Sequence, residues 1–264
     1  MAKAGLLFLN ADDWGRDRET TNRTFECVQG RHVSSVSAMV FMEDSQRAAK
    51  MASENAIDAG LHLNLTTPFS EKMCPSTLMK HQENIARHLS RHRLAQVLFH
   101  PGLVKAFEYV VQAQLDEYSR LYGAPPARLD GHHHMHLCAN VLLQGLIPAN
   151  IMVRRNFSFE PGEKSGWNRL YRSLVDRALA RRHRLADYFF SLPPLQPESR
   201  LRRMVELSRE HIVEVETHPV NQDEYRFLTE GGLARVSEHA RTGPPSGISW
   251  PGGKSASVIE RGGA

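Results

Sequence analysis

The chain has 264 residues, of which 41% are hydrophobic and 23% are charged, as is ordinary for a globular protein of one large domain or two small ones. Its net charge of +4 comes from scattered basic residues and does not indicate nucleic-acid binding. The three cysteines form no CxxC pair, no apolar run reaches the length of a membrane span, and the first apolar run is too short for a signal peptide. We therefore expect a cytoplasmic protein with no membrane span and no nucleic-acid partner.

Short apolar runs alternate with longer amphipathic segments, a pattern typical of parallel strands joined by helices. The predicted strands are 6–9, 33–41, 57–65, 127–129, 151–154 and 212–216. The predicted helices are 18–30, 44–53, 104–122, 141–146, 167–185 and 198–209. The basic, His-rich stretch 77–100 predicts a solvated helical excursion, and the Gly-, Pro- and Ser-rich residues 241–264 predict a flexible tail. We expect one α/β domain over residues 1–240, with a parallel sheet that is either open or closed as a barrel.

Polar residues stand at the carboxyl ends of four of the predicted strands. Asp12 and Asp13 follow the first strand, His62 lies late in the third, His132 follows the next, and His218 follows the last. In α/β barrels the carboxyl ends of the strands are where catalytic residues are assembled. Four independent placements at the same end of the sheet predict a single functional site.

The densest group of candidate ligands is the segment Asp130-Gly131-His132-His133-His134-Met135-His136. Neutral imidazole is a good ligand for zinc and similar divalent cations. In extended backbone His132, His134 and His136 would share one face, whereas on a helix His132 and His136 would lie one turn apart. Either geometry would bring at least two rings to one point. The alternative is a solvent-exposed polar loop.

The other candidate residues also have alternative interpretations. On extended backbone the side chains of Asp12 and Asp13 point to opposite sides, so one can bind a metal while the other acts as a general base. The alternative for this pair is an exposed turn. His62 lies among apolar residues and could instead be a hydrogen-bonded core histidine. The acidic residues before His218 would raise its pKa, so that it could protonate a leaving group.

Four segments, in this order and spacing, resemble the YdjC-like carbohydrate deacetylases, which include the chitooligosaccharide deacetylases. The segments are Asn10-Ala11-Asp12-Asp13-Trp14-Gly15, Gly60-Leu61-His62-Leu63-Asn64-Leu65, the His-rich segment 130–136 and Thr217-His218-Pro219. The similarity covers roughly residues 5–233. It implies a single domain with the fold of a distorted TIM-like (β/α) barrel, and a divalent metal cofactor, magnesium or zinc.

The resemblance also implies a role for each residue that it covers. Asp13, His62 and His132 would bind the metal, Asp12 would be the catalytic base, and His218 would be the acid that protonates the leaving amine. The remaining implied residues are Asp130, which would orient a histidine, His134 and His136, which would shape the pocket or bind sugar, and Arg154, a charged pocket residue.

The expected activity is metal-dependent removal of an N-acetyl group from an amino sugar or short oligosaccharide, with release of acetate. A metal-dependent hydrolase of a non-sugar amide or ester and a non-catalytic metal-binding protein are the alternatives. The expected partner is a small N-acetylated sugar, and a homodimer is one possible assembly.

Overall fold

A sheet of seven strands forms the centre of the protein, in a computed structural model that describes residues 5–159, 163–237 and 240–248. The strands are β1 Leu6–Trp14, β2 Ser35–Ala38, β3 Ala59–Leu63, β4 Arg128–Gly131, β5 Met152–Val153, β6 Tyr188–Ser191 and β7 Ile212–Thr217. Their order is β5-β4-β3-β2-β1-β7-β6, and every neighbouring pair is parallel. The sheet curls into a half-barrel, which confirms the predicted α/β, distorted-barrel fold.

Helices connect the strands, as parallel pairing requires. The α-helices are α1 Arg18–Gln29, α2 Ser45–Glu54, α3 Ser76–Ser90, α4 Val104–Tyr122, α5 Ala139–Gln144, α6 Gly166–Ala180, α7 Glu198–Leu207, α8 Gln222–Thr229 and α9 Gly232–Val236. Short 3-10 helices occupy Arg93–Gln96, Pro101–Leu103, His132–Leu137 and Pro245–Gly247. None of the helices in the described ranges is long and apolar enough to cross a membrane.

Strand β1 lies between β2 and β7, and all nine of its residues are buried. The sequence predicted only its apolar first half, because the residues that follow are polar. The strand continues because its polar side chains are bonded inside the sheet: Asn10 accepts a hydrogen bond from Ser35 Oγ at 2.8 Å and donates one to Ser37 Oγ at 2.7 Å. A buried polar group costs little when its hydrogen bonds are made in this way.

The His-rich stretch 77–100 is helical as predicted, but the expectation that it is solvated is wrong for one face of it. Leu78, Ile85 and Leu89 of α3 are buried in the main core, together with Phe107 and Val110 of α4. These α3 residues recur at helical spacing on one face. Because many basic residues lie between them, the composition of the stretch predicted a solvated helix and not a helix with a buried apolar face.

Strand β6 was not predicted, and the helix before it ends at residue 180 rather than 185. The aromatic run Tyr188-Phe189-Phe190 was the available signal, but it directly precedes a Pro-rich connector. Between β5 and β6 the chain makes one isolated bridge, Met152 with Arg184, and no longer ladder in the described residues. The barrel is therefore partly open at this edge.

Part of the segment predicted as a flexible tail contacts the domain. The backbone N–H of Leu7 donates to the carbonyl oxygen of Arg241 at 2.9 Å, and that of Ser246 donates to Asp58 Oδ2 at 3.0 Å. The rest of the predicted tail, residues 249–264, lies outside the described residues.

Candidate active site

A cavity of about 530 Å³ opens at the carboxyl ends of the strands. Its lining residues come from the ends of β1, β3, β4 and β7 and from the loops that follow them. They include Asp12, Asp13, His62, His132 and His218. The structure thus brings together all the residues for which the sequence predicted a single site, because parallel strands end at the same edge of the sheet.

Asp13, His62 and His132 form a buried cluster whose ligand atoms all lie within 4.8 Å of one another. Asp13 Oδ1 is 2.9 Å from His132 Nδ1 and 3.4 Å from His62 Nε2. Although both nitrogens are close, neither contact in the described residues has the geometry of a hydrogen bond to this buried oxygen, which suits an atom that binds a cation. One carboxylate and two imidazoles are a donor set that fits a divalent metal ion.

The backbone at Asp13 makes this convergence possible. The register between β1 and β2 shifts between Ala11 and Trp14, and Asp13 has a φ of 66° there. Aspartate tolerates the left-handed region better than most residues. At this bulge Asp13 lies against the histidines and Asp12 is bound by Arg154, and both aspartates line the same cavity rather than opposite sides of the strand. Arg16 Nη1, 2.7 Å from Asp13 Oδ2, holds the second carboxylate oxygen.

Asp130 fixes the orientation of the His62 ring. His62 Nδ1 is 2.7 Å from Asp130 Oδ1, so His62 Nε2 faces Asp13. Burial opposes the charged form of His62, but the carboxylates of Asp12, Asp13 and Asp130 outweigh it and raise the pKa from 6.5 to about 10. A cation at Nε2 would displace that proton, because only a neutral imidazole is a ligand. Carboxylates in this position also make the imidazole a better ligand.

Asp12 is bound by Arg154 through both of its carboxylate oxygens. Arg154 Nη1 lies 2.7 Å from Oδ2, and Arg154 Nη2 lies 2.8 Å from Oδ1. Burial raises the pKa of Asp12, but the positive charge of Arg154 outweighs it and holds that pKa below its usual value. Asp12 is consequently ionised at neutral pH. His218 Nε2 lies 4.0 Å from Asp12 Oδ2, so a substrate in the cavity can reach both groups.

Arg154, expected to be a charged residue of the pocket, does not line the cavity and is instead buried among carboxylates. Its side chain is 1% exposed and lies within 3.3 Å of four carboxylates: Asp12, Asp130 (2.9 Å), Glu214 (2.7 Å) and Glu216 (3.3 Å). Burial and the neighbouring negative charges raise the pKa of Glu216 well above its usual value.

Glu214 and Glu216 both contact Arg154 and Glu216 lines the cavity, whereas the sequence analysis treated them only as neighbours of His218. A signal for them was present. In a buried parallel strand the segment Glu214-Val215-Glu216 places two carboxylates on one face, opposite the valine, and such carboxylates need a buried cation.

The His-rich segment is neither a strand nor a regular helix, so both predicted geometries are wrong. It folds as a 3-10 turn in which His133 and His134 have φ values of 53° and 57°. The His132 and His133 rings pack against each other with centroids 4.0 Å apart, and of the four histidines only His132 belongs to the cluster with Asp13. His134 Nε2 is 3.6 Å from Glu216 Oε2, and His136 Nε2 donates to the carbonyl oxygen of Arg154 at 2.9 Å. Burial lowers the pKa of His136 to about 4, so its ring is neutral.

Glu224 of α8 fixes the loop that carries His218. Its carboxylate accepts hydrogen bonds from Thr217 Oγ1 (2.8 Å), the backbone N–H of His218 (2.9 Å) and Asn221 Nδ2 (2.8 Å). Glu224 is 3% exposed, so removing it leaves these donors without a partner. We expect Glu224→Ala to lower the free energy of unfolding by about 1–3 kcal/mol. Urea denaturation measures this loss, and the isosteric Glu224→Gln variant should lose less because its amide oxygen still accepts.

The fold and the cavity define a class of α/β protein in which a curled parallel sheet carries a buried carboxylate–imidazole cluster at the carboxyl ends of its strands. The sequence profile described as YdjC-like protein matches residues 6–241. The chain belongs to the YdjC-like family, as the four segments indicated.

Named relatives match about half of the chain. A chitooligosaccharide deacetylase of Serratia marcescens is 33% identical over 133 residues, 50% of this chain and 51% of that protein. A carbohydrate deacetylase of Danio rerio is 28% identical over 139 residues, 51% of this chain and 43% of that protein. The chain spans about half the length of the curated relatives it matches.

A solved structure from Enterococcus faecalis V583 has the same fold. That protein is provisionally assigned to cellobiose-phosphate cleavage. It superposes with a TM-score of 0.63 at 16% identity, over 91% of this chain and 97% of that one. At this identity the likeness concerns the fold alone.

Proposed function

We propose that the protein is a metal-dependent hydrolase that removes an N-acetyl group from an amino sugar or short oligosaccharide and releases acetate. The observation that carries the proposal is the cavity in which Asp13, His62 and His132 converge beside the ionised Asp12 and within reach of His218. The named relatives that match half of the chain are deacetylases, and this supports the same reaction here.

In the proposed reaction Asp12 and His218 each transfer one proton. Asp12 accepts a proton from the water that attacks the acetamide carbonyl, and Arg154 holds the carboxylate in place for that transfer. His218 gives a proton to the sugar nitrogen as the C–N bond breaks, so that the amine leaves uncharged, and the acetic acid formed loses its remaining proton to solvent as acetate. A divalent cation bound by Asp13, His62 and His132 would polarise the carbonyl oxygen of the acetamide.

The donor set supports zinc rather than magnesium as the cofactor. Magnesium prefers oxygen ligands and keeps several waters, whereas two imidazoles with one carboxylate suit zinc. Three protein ligands also match the arrangement of catalytic zinc sites, which keep a position open for water or substrate.

Removal of one imidazole tests the proposed cofactor site. We expect His132→Ala to weaken zinc binding by more than about 100-fold, because loss of an outer-shell partner alone costs about 10- to 100-fold. Calorimetric titration of the metal-stripped protein measures the affinity. The control is His133→Ala in the next residue, whose Nδ1 lies 3.0 Å from Thr66 Oγ1 and which is outside the cluster. Equal affinities in the two variants would rule out His132 as a ligand.

The test of the proposed function is acetate release from a panel of N-acetylated mono- and oligosaccharides. Metal-stripped protein is assayed alone and after addition of zinc, magnesium, manganese or cobalt. We expect release that depends on the added metal. Metal binding without release from any sugar would contradict the deacetylase and favour a non-sugar amide or ester, or a non-catalytic metal-binding role.

The cellular location and the assembly are also proposals. Cys27, Cys74 and Cys138 are free thiols, which supports a reducing compartment such as the cytoplasm. Exposed apolar side chains on α6, Trp167 and Leu174 among them, support a homodimer through that helix. Light scattering of the purified protein would measure its mass, and a monomer at all concentrations would contradict the dimer.

A further inference from the structure

Arg16 lines the cavity that holds the proposed metal site, and its side chain is 30% exposed there. The guanidinium contacts two carboxylates: Nη1 lies 2.7 Å from Asp13 Oδ2, and Nε lies 3.0 Å from Asp17 Oδ2. A guanidinium is planar and always charged, so contacts at two of its nitrogens fix its position as well as its charge. The reaction proposed above gives Arg16 no role.

The backbone that carries Arg16 is also fixed. The backbone N–H of Arg16 donates to the carbonyl oxygen of Asp13 at 3.0 Å and closes a turn. Gly15 in this turn has a φ of 87°, and a Cβ atom there would lie 3.2 Å from the Met39 carbonyl oxygen and 3.2 Å from Ser45 Cα. Only glycine meets both conditions without strain. The turn therefore presents Arg16 at one place relative to Asp13.

Asp17 connects the guanidinium of Arg16 to helix α1. It is the N-cap residue of that helix, and its Oδ1 accepts a hydrogen bond from the backbone N–H of Thr20 at 2.8 Å. Its second oxygen, Oδ2, accepts from Arg16 Nε. One carboxylate thus holds both the first turn of the helix and the arginine, and a cap of this kind is a stable anchor.

The two carboxylate oxygens of Asp13 consequently have different neighbours. Oδ1 faces His132 Nδ1 at 2.9 Å and His62 Nε2 at 3.4 Å, whereas Oδ2 faces Arg16 Nη1. A carboxylate can bind a divalent cation through one oxygen or through both. While Arg16 holds Oδ2, only Oδ1 is available to a cation that the two histidines also bind.

We propose that Arg16 is a positioning residue that restricts Asp13 to binding through one oxygen and so keeps one coordination position of the metal open. This inference rests on the metal site of the proposed function. A catalytic zinc site needs such a position for water or substrate. Without Arg16, Oδ2 of Asp13 is free to turn toward the cation and occupy it.

Azide titration of the cobalt-loaded protein tests the inference, because azide is a small anion that binds at an open metal position and changes the visible spectrum of cobalt. We expect Arg16→Met to need at least about tenfold more azide than the wild type, the lower end of the effect of removing an outer-shell partner. Cobalt affinity should be retained, because Asp13 then offers two oxygens. Thermal unfolding of the variant checks that it is folded.

Two further variants separate position from charge. Arg18→Met removes the same charge from an exposed side chain of α1 that does not line the cavity, and it should bind azide as the wild type does. Arg16→Lys keeps a charged donor for Asp13 Oδ2, and it should restore most of the azide affinity.

Several results would overturn the inference. One is equal azide affinity in the wild type and in Arg16→Met, and another is an equal loss in Arg18→Met. A cobalt affinity that falls by about 10- to 100-fold in Arg16→Met while azide affinity is unchanged would mean that Arg16 only supports the ligand. Failure of the wild type to bind cobalt would reject the metal site together with this inference. Failure to release acetate would reject only the proposed function, because azide binding requires no sugar.

Discussion

Replacement of Asp12 by Asn is expected to reduce metal-dependent acetate release by roughly 100- to 10 000-fold, the range that a general base contributes. Asparagine has nearly the same shape as aspartate, but its amide cannot accept a proton at neutral pH. Arg154 keeps the Asp12 carboxylate ionised, so that it can accept a proton. Asp12 does not belong to the Asp13, His62 and His132 cluster. The loss should therefore appear in kcat, with little change in zinc affinity.

Two measurements make this prediction specific to the base. Arg154 keeps Asp130, Glu214 and Glu216 as partners in the variant, so thermal unfolding should show a folded protein. Calorimetric titration should show that zinc still binds. Near-normal acetate release by such a protein would remove Asp12 from the mechanism, whereas loss of zinc together with activity would place it among the ligands.

The central strands of the sheet and the location of the site could be predicted from the sequence. Buried parallel strands are read from continuous apolar runs, and the polar residues that end them meet at one edge whatever the exact strand lengths. Asp13, His62 and His132 converge for this reason, although the predicted strand before Asp13 ended too early.

The polar network around Arg154 could not be predicted, because it depends on contacts between residues far apart in the chain. Arg154 is 142 residues from Asp12 and 60 from Glu214, and no local pattern reveals such pairs. The left-handed backbone conformations of His133 and His134 could not be predicted for the same reason. Histidine spacing alone allows a strand or a helix, and here the contacts of the rings with Thr66 and Phe157 accompany a third geometry.

Replacement of Arg154 by Ala is expected to lower the free energy of unfolding by about 3–5 kcal/mol, the cost of breaking a buried ion pair from one side. The substitution leaves Asp12, Asp130, Glu214 and Glu216 close together without their shared cation. Urea denaturation in the presence of a chelator measures the loss. Arg154→Lys should fall between wild type and Ala, because an ammonium keeps the charge but not the paired hydrogen bonds.

A surface arginine provides the matched control. Arg87 Nη2 lies 2.7 Å from Glu83 Oε1, and the two side chains are 68% and 69% exposed. Arg87→Ala should lower the free energy of unfolding by no more than about 1 kcal/mol, the usual upper value for an exposed ion pair. A similar loss of free energy of unfolding in both variants would show that burial does not increase the cost of removing Arg154.

The effect of Arg154→Ala should depend on pH in a definite direction. In the wild type burial raises the pKa of Asp12 and Asp130, but Arg154 outweighs it and lowers both, so their contribution to stability is lost only at strongly acid pH. Without Arg154 the folded-state pKa of each of the four carboxyls rises, because Arg154 is the largest of the influences that lower it. The variant then binds protons at higher pH than the wild type, so its deficit in stability should shrink as the pH is lowered from neutrality. A deficit that stays constant as the pH is lowered would mean that the four carboxylates are not the source of the instability.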